Sequence, residues 1–152
     1  MTENDHTTDQ GPYRPTVRTQ AELEQVWRHL MGPLGFSGSS IWFLYIDSDD
    51  RVLPRIAQVE ECDALPDEVG LTNFADLLRQ LEDDLLADAG EQRGRWALLR
   101  SRPGRGGPDQ ADRAWASGLA TAIREAGLVC EVMHLATDSD LMPLPMDTLA
   151  SR

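Results

Sequence analysis

Hydrophobic positions along this chain follow two periods, which predicts a mixture of helices and strands. Apolar side chains recur every three to four residues in three segments, as expected of amphipathic helices. These segments are Gln20–Met31, about 72–89 and about 110–126. Two short apolar runs without alternation, 41–46 and 96–99, are typical of strands that are covered on both faces.

Turn residues divide the remaining apolar segments into further strands. An acidic turn after 41–46 predicts an antiparallel hairpin with 51–59. Pro54 lies inside the second strand of that hairpin and indicates an edge position or a bulge. We expect a fourth strand over 128–136 and a short edge strand over 141–144. The last strand–helix–strand unit predicts a right-handed crossover between parallel strands.

Polar residues mark the start of each predicted helix. Thr19 begins a Thr-x-x-Glu capping box, and Thr72 or Asn73 is expected to cap the second helix. Asp109 is the predicted cap of the third helix, with Asp112 in its first turn, where the helix dipole favours negative charge. The carboxylates expected on the solvent face of the second helix are Asp76, Glu82, Asp83 and Asp88. The tryptophans expected in the core, on the buried faces of the predicted helices and strands, are Trp27, Trp42, Trp96 and Trp115.

The order of these elements predicts an α/β protein with a mixed β-sheet flanked by helices. The chain has 152 residues, which is enough for one domain with a substantial core. Residues 1–15 are polar and lack periodicity, so we expect a flexible, disordered tail there and a single α/β domain over 16–152.

Charge and cysteine usage exclude several classes of partner and location. The formal net charge is −12, which argues against binding of nucleic acid or of an anionic membrane surface. No apolar run approaches the roughly 20 residues that span a bilayer, and the polar N-terminus does not resemble a secretory signal. Cys62 and Cys130 form no Cys-x-x-Cys pair. We therefore expect reduced thiols and a cytoplasmic protein.

The most distinctive segment is the loop that joins the third strand to the third helix, where Gly and Pro alternate with Arg. Its arginines and glycine amides could hold a carboxylate or phosphate. The arginines could instead form ion pairs with Asp109 and Asp112, and the sequence leaves both alternatives open. The candidate ligand-binding residues are Arg100, Ser101, Arg102, Arg105 and Asp112.

No complete catalytic set or metal site is present in the sequence, and we expect no cofactor. Ser101, His134 and Asp112 are the residue types of a nucleophilic triad, but nothing in their spacing brings them together. His6, His134, Cys62 and Cys130 lack metal-ligand spacing. We interpret His134 as a strand histidine that is satisfied by hydrogen bonds.

Four short stretches resemble the RadC-like branch of the JAB/MPN family. They are Val-Arg-Thr at 17–19 with its helix, the hairpin at 43–53, the loop at 100–112 and the strand at 127–135. In that family the loop carries His-x-His-Pro-Ser-Gly and, further on, an aspartate, and these histidines and the aspartate hold zinc. The resemblance implies a JAB/MPN-like fold over most of this chain.

The loop departs from the family pattern at the metal ligands. Aligning Pro103 with the family proline places Arg100 and Arg102 where the histidines should be. Asp112 keeps the position of the aspartate ligand, although the stretch from Pro103 to Asp112 is one residue shorter than in the family. Guanidinium groups are hydrogen-bond donors only and stay protonated, so they cannot ligate a divalent cation. The resemblance therefore implies a pseudoenzyme without the zinc hydrolase chemistry.

These observations lead to three hypotheses about function. The first is a non-catalytic protein-interaction or regulatory module on a degenerate JAB/MPN-like scaffold, with a protein partner. The alternative is an enzyme that handles a small molecule or nucleotide, using the arginine loop as an anion clamp and Asp112 or His134 as the general base. The third is a structural protein that associates with itself, as in a homodimer.

Overall fold

A central mixed β-sheet, with helices on both faces, organises the part of the chain that the structure describes. The structure is a computed structural model, and it describes residues 15–60, 62, 64–89 and 92–144. Its helices are α1 (Gln20–Met31), α2 (Glu68–Ala89) and α3 (Gln110–Glu125). Its strands are β1 (Ser40–Ile46), β2 (Val52–Val59), β3 (Arg95–Ser101), β4 (His134–Ala136) and β5 (Leu141–Pro143).

The strands lie in the order β2-β1-β3-β4-β5. β1 is antiparallel to both β2 and β3, and β4 is antiparallel to β5. β3 and β4, which α3 connects, are parallel. The α/β class, the hairpin and the parallel pair predicted from the sequence are thereby confirmed, as is the edge position of the strand that contains Pro54.

Each face of the sheet buries its own cluster of apolar side chains. On one face, α2 and α3 contribute Phe74, Leu78, Leu119 and Ile123 against Phe43 and Leu98 among other strand residues. On the opposite face, α1 contributes Leu23, Val26 and Trp27 against Leu44, Ile46 and Leu99. Neighbouring residues in a strand point to opposite faces, and both faces of this sheet are covered by helices. β1 and β3 are therefore buried along nearly their whole length, which explains their apolar runs without alternation.

The starts of α1 and α3 agree with their predicted caps. Thr19 and Asp109 each accept a hydrogen bond from the backbone N–H three residues on, and each capping box is completed by a carboxylate that returns to the cap. The start of α2 was predicted too late. It begins at Glu68, because Asp67 accepts a hydrogen bond from Gly70 N at 2.6 Å and caps the helix one turn before Thr72.

The fourth strand is shorter than predicted. Cys130 forms a single bridge with Trp96, and regular pairing resumes only at His134, which is opposite Leu99. From the first of these pairs to the second, the chain advances three residues along β3 but four residues along 130–134. The extra residue interrupts the pairing with β3 and divides the predicted strand 128–136. The short edge strand at 141–143 agrees with the prediction.

Two of the four tryptophans are less buried than predicted. Trp27 and Trp96 lie in the core, whereas Trp42 and Trp115 are only partly buried. Trp42 Nε1 donates to Ser101 Oγ at 2.9 Å, and Trp115 Nε1 donates to the Ala64 carbonyl at 2.9 Å. Their indole N–H groups thus find acceptors at the margin of the core, a common arrangement for tryptophan.

Glu82 contradicts the prediction of a solvent-facing carboxylate. It is 2% exposed and accepts a hydrogen bond from Tyr45 Oη at 2.9 Å. The Tyr45 hydroxyl in turn accepts from Gly94 N at 2.6 Å. Burial, together with the nearby Glu82, raises the pKa of Tyr45 to about 12, although the Gly94 hydrogen bond opposes the shift. Asp76 and Asp83 are exposed as predicted.

His134 is buried, but Nδ1 has no hydrogen-bond partner among the described residues. The expectation that hydrogen bonds satisfy this side chain is therefore wrong for Nδ1. Burial lowers the pKa of His134, because a charged imidazolium is costly to desolvate.

Both ends of the chain extend beyond the described residues. Residues 1–14 of the predicted tail lie outside the described residues, and Pro15 accepts a hydrogen bond from Val52 N at 2.9 Å. Within the described ranges, no helix combines the length and the apolar character needed to cross a membrane.

Replacing Tyr45 with Phe should lower the free energy of unfolding by about 1–3 kcal/mol, because the buried Glu82 loses its donor and the Gly94 N–H loses its acceptor. Urea denaturation followed by tryptophan fluorescence measures the loss. Glu82→Gln keeps an acceptor for the hydroxyl and serves as the control with a smaller effect. A Tyr45→Phe protein as stable as the wild type would contradict the assignment of this contact.

The pKa shift of His134 predicts a pH dependence of stability. The unfolded chain binds a proton on this imidazole near pH 6.5, whereas the folded chain binds it only at lower pH. The free energy of unfolding should therefore fall as the pH is lowered through about 6.5. Urea denaturation at a series of pH values should show a shallower fall in His134→Gln. Identical slopes for the two proteins would show that His134 is not the group responsible.

Candidate functional site

The predicted functional loop connects the end of β3 to the start of α3. Gly104 and Gly106 have φ of 100° and 94°, a left-handed backbone that glycine adopts without strain. These residues turn the chain sharply enough for the first turn of α3 to lie beside the end of β3. The loop therefore brings Asp112 of α3 next to Arg100 and Arg102.

The Asp112 carboxylate is the centre of the loop and is fully buried. Its Oδ1 accepts from Arg100 Nε at 2.7 Å and from Arg102 Nε at 2.9 Å. Its Oδ2 accepts from Arg102 Nη2 at 2.8 Å and from Asp109 N at 2.9 Å. We call Arg100, Arg102 and Asp112 the arginine clasp.

Arg100 Nη1 and both terminal nitrogens of Arg102 also donate to backbone carbonyls. Arg100 Nη1 donates to the Cys62 carbonyl at 2.8 Å. Arg102 Nη1 and Nη2 donate to the carbonyls of Pro103 and Gly107, each at 3.1 Å. Both arginines are buried, with residue exposures of 1% and 8%. The clasp therefore joins β3, its loop, the start of α3 and the segment that precedes α2.

The charges of the clasp stabilise each other. Burial by itself would raise the pKa of Asp112, but hydrogen bonds from Arg102, the Asp109 N–H and Arg100 outweigh it and lower that pKa. The hydrogen bond to Asp112 is also the main reason that the pKa of Arg102 is raised. Asp109 adds a partly exposed carboxylate 3.7 Å from Arg102 Nε. The clasp thus stays ionised on both sides, and its excess positive charge is partly offset.

The remaining predicted residues lie outside the clasp. Ser101 occupies the opposite face of the sheet, where its hydroxyl accepts from Trp42. Arg105 is exposed in the loop, close enough to help lower the pKa of Asp138, for which hydrogen bonds from the N–H groups of Gly104 and Phe36 are the larger causes. Of the five predicted residues, the structure brings together Arg100, Arg102 and Asp112.

Asp138 is a loop-organising residue that the sequence analysis missed. Its carboxylate accepts from Gly104 N at 2.8 Å and from Phe36 N at 3.1 Å, which ties two loops together. A signal existed, because Asp138 follows β4, and parallel strands end at the same edge of the sheet. The Cys62 carbonyl, by contrast, is a backbone group, so no residue type in the sequence indicates that it accepts from Arg100.

The structure does not assemble the residues of a nucleophilic triad. Ser101 and His134 lie on the α1 face of the sheet, whereas Asp112 lies on the face covered by α2 and α3. In the described ranges, no three His, Cys, Asp or Glu side chains are grouped so that they could hold a metal ion.

Two open cavities offer further surfaces. A polar cleft of about 250 Å³ lies beside Ser101, lined mainly by the serines that precede β1 and by Gln58 and Glu60. A larger, apolar cavity of about 580 Å³ lies between β2 and the C-terminal half of α2. We call it the β2–α2 groove. Its lining residues are Phe43, Leu44, Tyr45, Leu53, Ile56, Ala57, Leu81, Asp84, Leu85 and Trp96.

Replacing Asp112 with Asn should lower the free energy of unfolding by about 3–5 kcal/mol, because two buried guanidinium groups lose their anionic partner. Chemical denaturation measures this loss. Asp109→Asn is the matched control, since Asn is also a good helix cap and Asp109 is exposed, so it should cost less than about 1 kcal/mol. Equal losses in the two variants would contradict a central role for the Asp112 carboxylate.

Comparison with known proteins found no protein-family model that matches this chain and no curated protein with significant similarity to it. The resemblance to the RadC-like branch of the JAB/MPN family therefore stays a prediction that rests on the four short stretches of sequence. The geometry of the arginine clasp and of the β2–α2 groove is the basis for the functional proposal.

Proposed function

We propose that this protein is a non-catalytic protein-interaction module, built on a scaffold that resembles the RadC-like JAB/MPN proteins. In this proposal the arginine clasp stands where the resemblance places a zinc site. The observation that carries the proposal is the set of hydrogen bonds from Arg100 and Arg102 into the buried Asp112 carboxylate.

The contacts of Asp112 support a structural role for the loop. Both carboxylate oxygens accept at least two hydrogen bonds, and the side chain has no exposed surface. A metal ion at this carboxylate would have to displace two arginines that are themselves buried. The loss of those ion pairs would leave guanidinium groups without an anionic partner, which is strongly unfavourable.

The same contacts weigh against the anion-clamp alternative. An anion clamp needs guanidinium N–H groups that face an open cavity. Arg100 Nε and Nη1 and all three nitrogens of the Arg102 guanidinium donate instead to Asp112 or to backbone carbonyls. Arg105 alone among the predicted arginines is exposed, and one surface cation is a weak basis for binding phosphate.

An apolar, solvent-open surface supports the binding role. The β2–α2 groove is within the size range of ligand-binding clefts, and Ile56 at its rim is 38% exposed. We place this function in the cytoplasm, in keeping with the sequence-based expectation of reduced thiols at Cys62 and Cys130. Because the polar groups of the arginine clasp bind within the protein, we take the groove as the principal candidate for partner recognition.

Elemental analysis of the purified protein, after incubation with zinc and desalting, tests the proposal. We expect no stoichiometric zinc in the wild type, and stoichiometric zinc would overturn the proposal. Arg100→His/Arg102→His should gain zinc affinity through Asp112 if the resemblance holds, and adding Asp112→Asn should abolish the gain. Titration with millimolar phosphate, followed by NMR, separates the alternative, because an anion clamp would show local shifts at the loop.

A further inference from the structure

We propose that the β2–α2 groove binds a short amphipathic helix of a partner protein, with apolar side chains inside the groove and Lys or Arg side chains beside α2. This inference rests on the proposed function and names the class of partner. It follows from the shape of the groove, from the charge of α2 and from the irregular backbone of β2.

The groove is suited to large apolar side chains. Its floor is formed by three aromatic residues in edge-to-face contact, with ring centroids 5.9 Å apart for Phe43 and Trp96 and 4.8 Å apart for Tyr45 and Trp96. Leu81 and Leu85 of α2 form one wall. Burying such surface is the main source of affinity in helix-in-groove recognition.

The α2 side of the groove carries exposed negative charge. Asp84 lines the groove, Asp83 precedes it, and both are exposed. Neither forms an ion pair with a described residue. No basic residue lies in the last turn of α2 to offset these charges.

The described arginine side chains near α2 donate to backbone carbonyls and form no ion pair with Asp83 or Asp84. Arg79 donates to the Ala126 carbonyl at 3.1 Å, and Arg93 donates to the Gly127 carbonyl at 3.5 Å. The groove therefore combines an apolar floor with an acidic wall, which is complementary to a helix that has one apolar and one basic face.

The backbone of β2 favours a helix over an added strand. Leu44 pairs with Ile56 and Ile46 pairs with Val52, so three residues of β2, including Pro54, lie opposite Tyr45. A bulge and a proline interrupt the regular hydrogen-bonding edge that strand addition requires. A helix needs no backbone hydrogen bonds from β2.

Charge also disfavours two other occupants. A second copy would bring another chain of net charge −12, with its own Asp83 and Asp84, to an acidic groove. The segment 1–14 contains three carboxylates and a single arginine, so it too lacks charge complementarity. A basic helix of another protein is the occupant that both properties of the groove favour.

The probe is a synthetic peptide of about 15 residues, long enough to form a helix on the groove, with Leu at positions i, i+3, i+4 and i+7 and Lys elsewhere. It is titrated into the full-length protein and followed by ¹⁵N NMR and calorimetry. We expect one peptide per chain, with the largest shifts at residues that line the groove. A peptide with the same leucines but Glu for Lys should not bind.

Two pairs of variants locate the binding site. Ile56→Asp places a charge at the groove rim and should lower the affinity for the Leu/Lys peptide by about tenfold or more. Val129→Asp is the matched control, because Val129 is an exposed apolar residue that does not line the groove. Asp83→Asn/Asp84→Asn should weaken binding and reduce its salt dependence, whereas Asp76→Asn on the same helix should change neither.

Several results would overturn the inference. These are shifts centred away from the groove, equal losses in Ile56→Asp and Val129→Asp, or an affinity unchanged by Asp83→Asn/Asp84→Asn. A dimer that light scattering detects in the wild type and not in Ile56→Asp would identify a second copy as the occupant. Groove shifts that appear when residues 1–14 are deleted would identify that segment instead.

Failure of this inference is distinguishable from failure of the proposed function. The wild-type zinc content and the phosphate titration test the non-catalytic assignment without reference to the groove. A protein that holds no zinc and does not bind the Leu/Lys peptide at the groove would retain its proposed class but lose this partner.

Discussion

The Asp112 carboxylate, held between Arg100 and Arg102 in the interior, is the contact on which the loop region depends. A buried charge is tolerated only when its partners are close and its hydrogen bonds are complete, and here both conditions are met. This carboxylate joins the end of β3 to the first turn of α3, and Arg100 extends the contact to the Cys62 carbonyl in the segment that precedes α2. The geometry explains why a loop rich in glycine can hold a defined shape.

The clasp also changes what the loop can do chemically. In α/β proteins, ligands usually bind at the carboxyl ends of parallel strands, and this loop follows such a strand. In this protein the polar groups there satisfy one another rather than an external group. An open, apolar surface lies at the other end of β3, where Trp96 forms part of the floor of the β2–α2 groove. We therefore propose that the clasp stabilises the loop and that the groove binds the partner.

Local sequence patterns predicted most of the fold because they reflect local energetics. The capping box at Thr19, the acidic turn of the hairpin and the parallel strand–helix–strand unit depend on neighbouring residues or on general chain geometry. The errors at Glu82 and at 128–136 arose where a distant contact decided the outcome. Glu82 lies four residues after Leu78, at the margin of the leucine stripe, and the Tyr45 hydroxyl on β1 provides the partner with which its carboxylate is buried. The division of 128–136 likewise depends on its register against β3, which periodicity does not encode.

By itself, the sequence determined the fold class, the order of the elements and the identity of the residues at the end of β3, because hydrophobic period, helix caps and turn residues are local properties. It left open whether Arg100 and Arg102 face a ligand or an internal carboxylate. Only the tertiary structure decided that question, because the answer depends on how far the first turn of α3 reaches back over β3. The groove was invisible to the sequence for the same reason: its walls come from β1, β2, β3 and α2, and a cavity between such elements exists only once they pack.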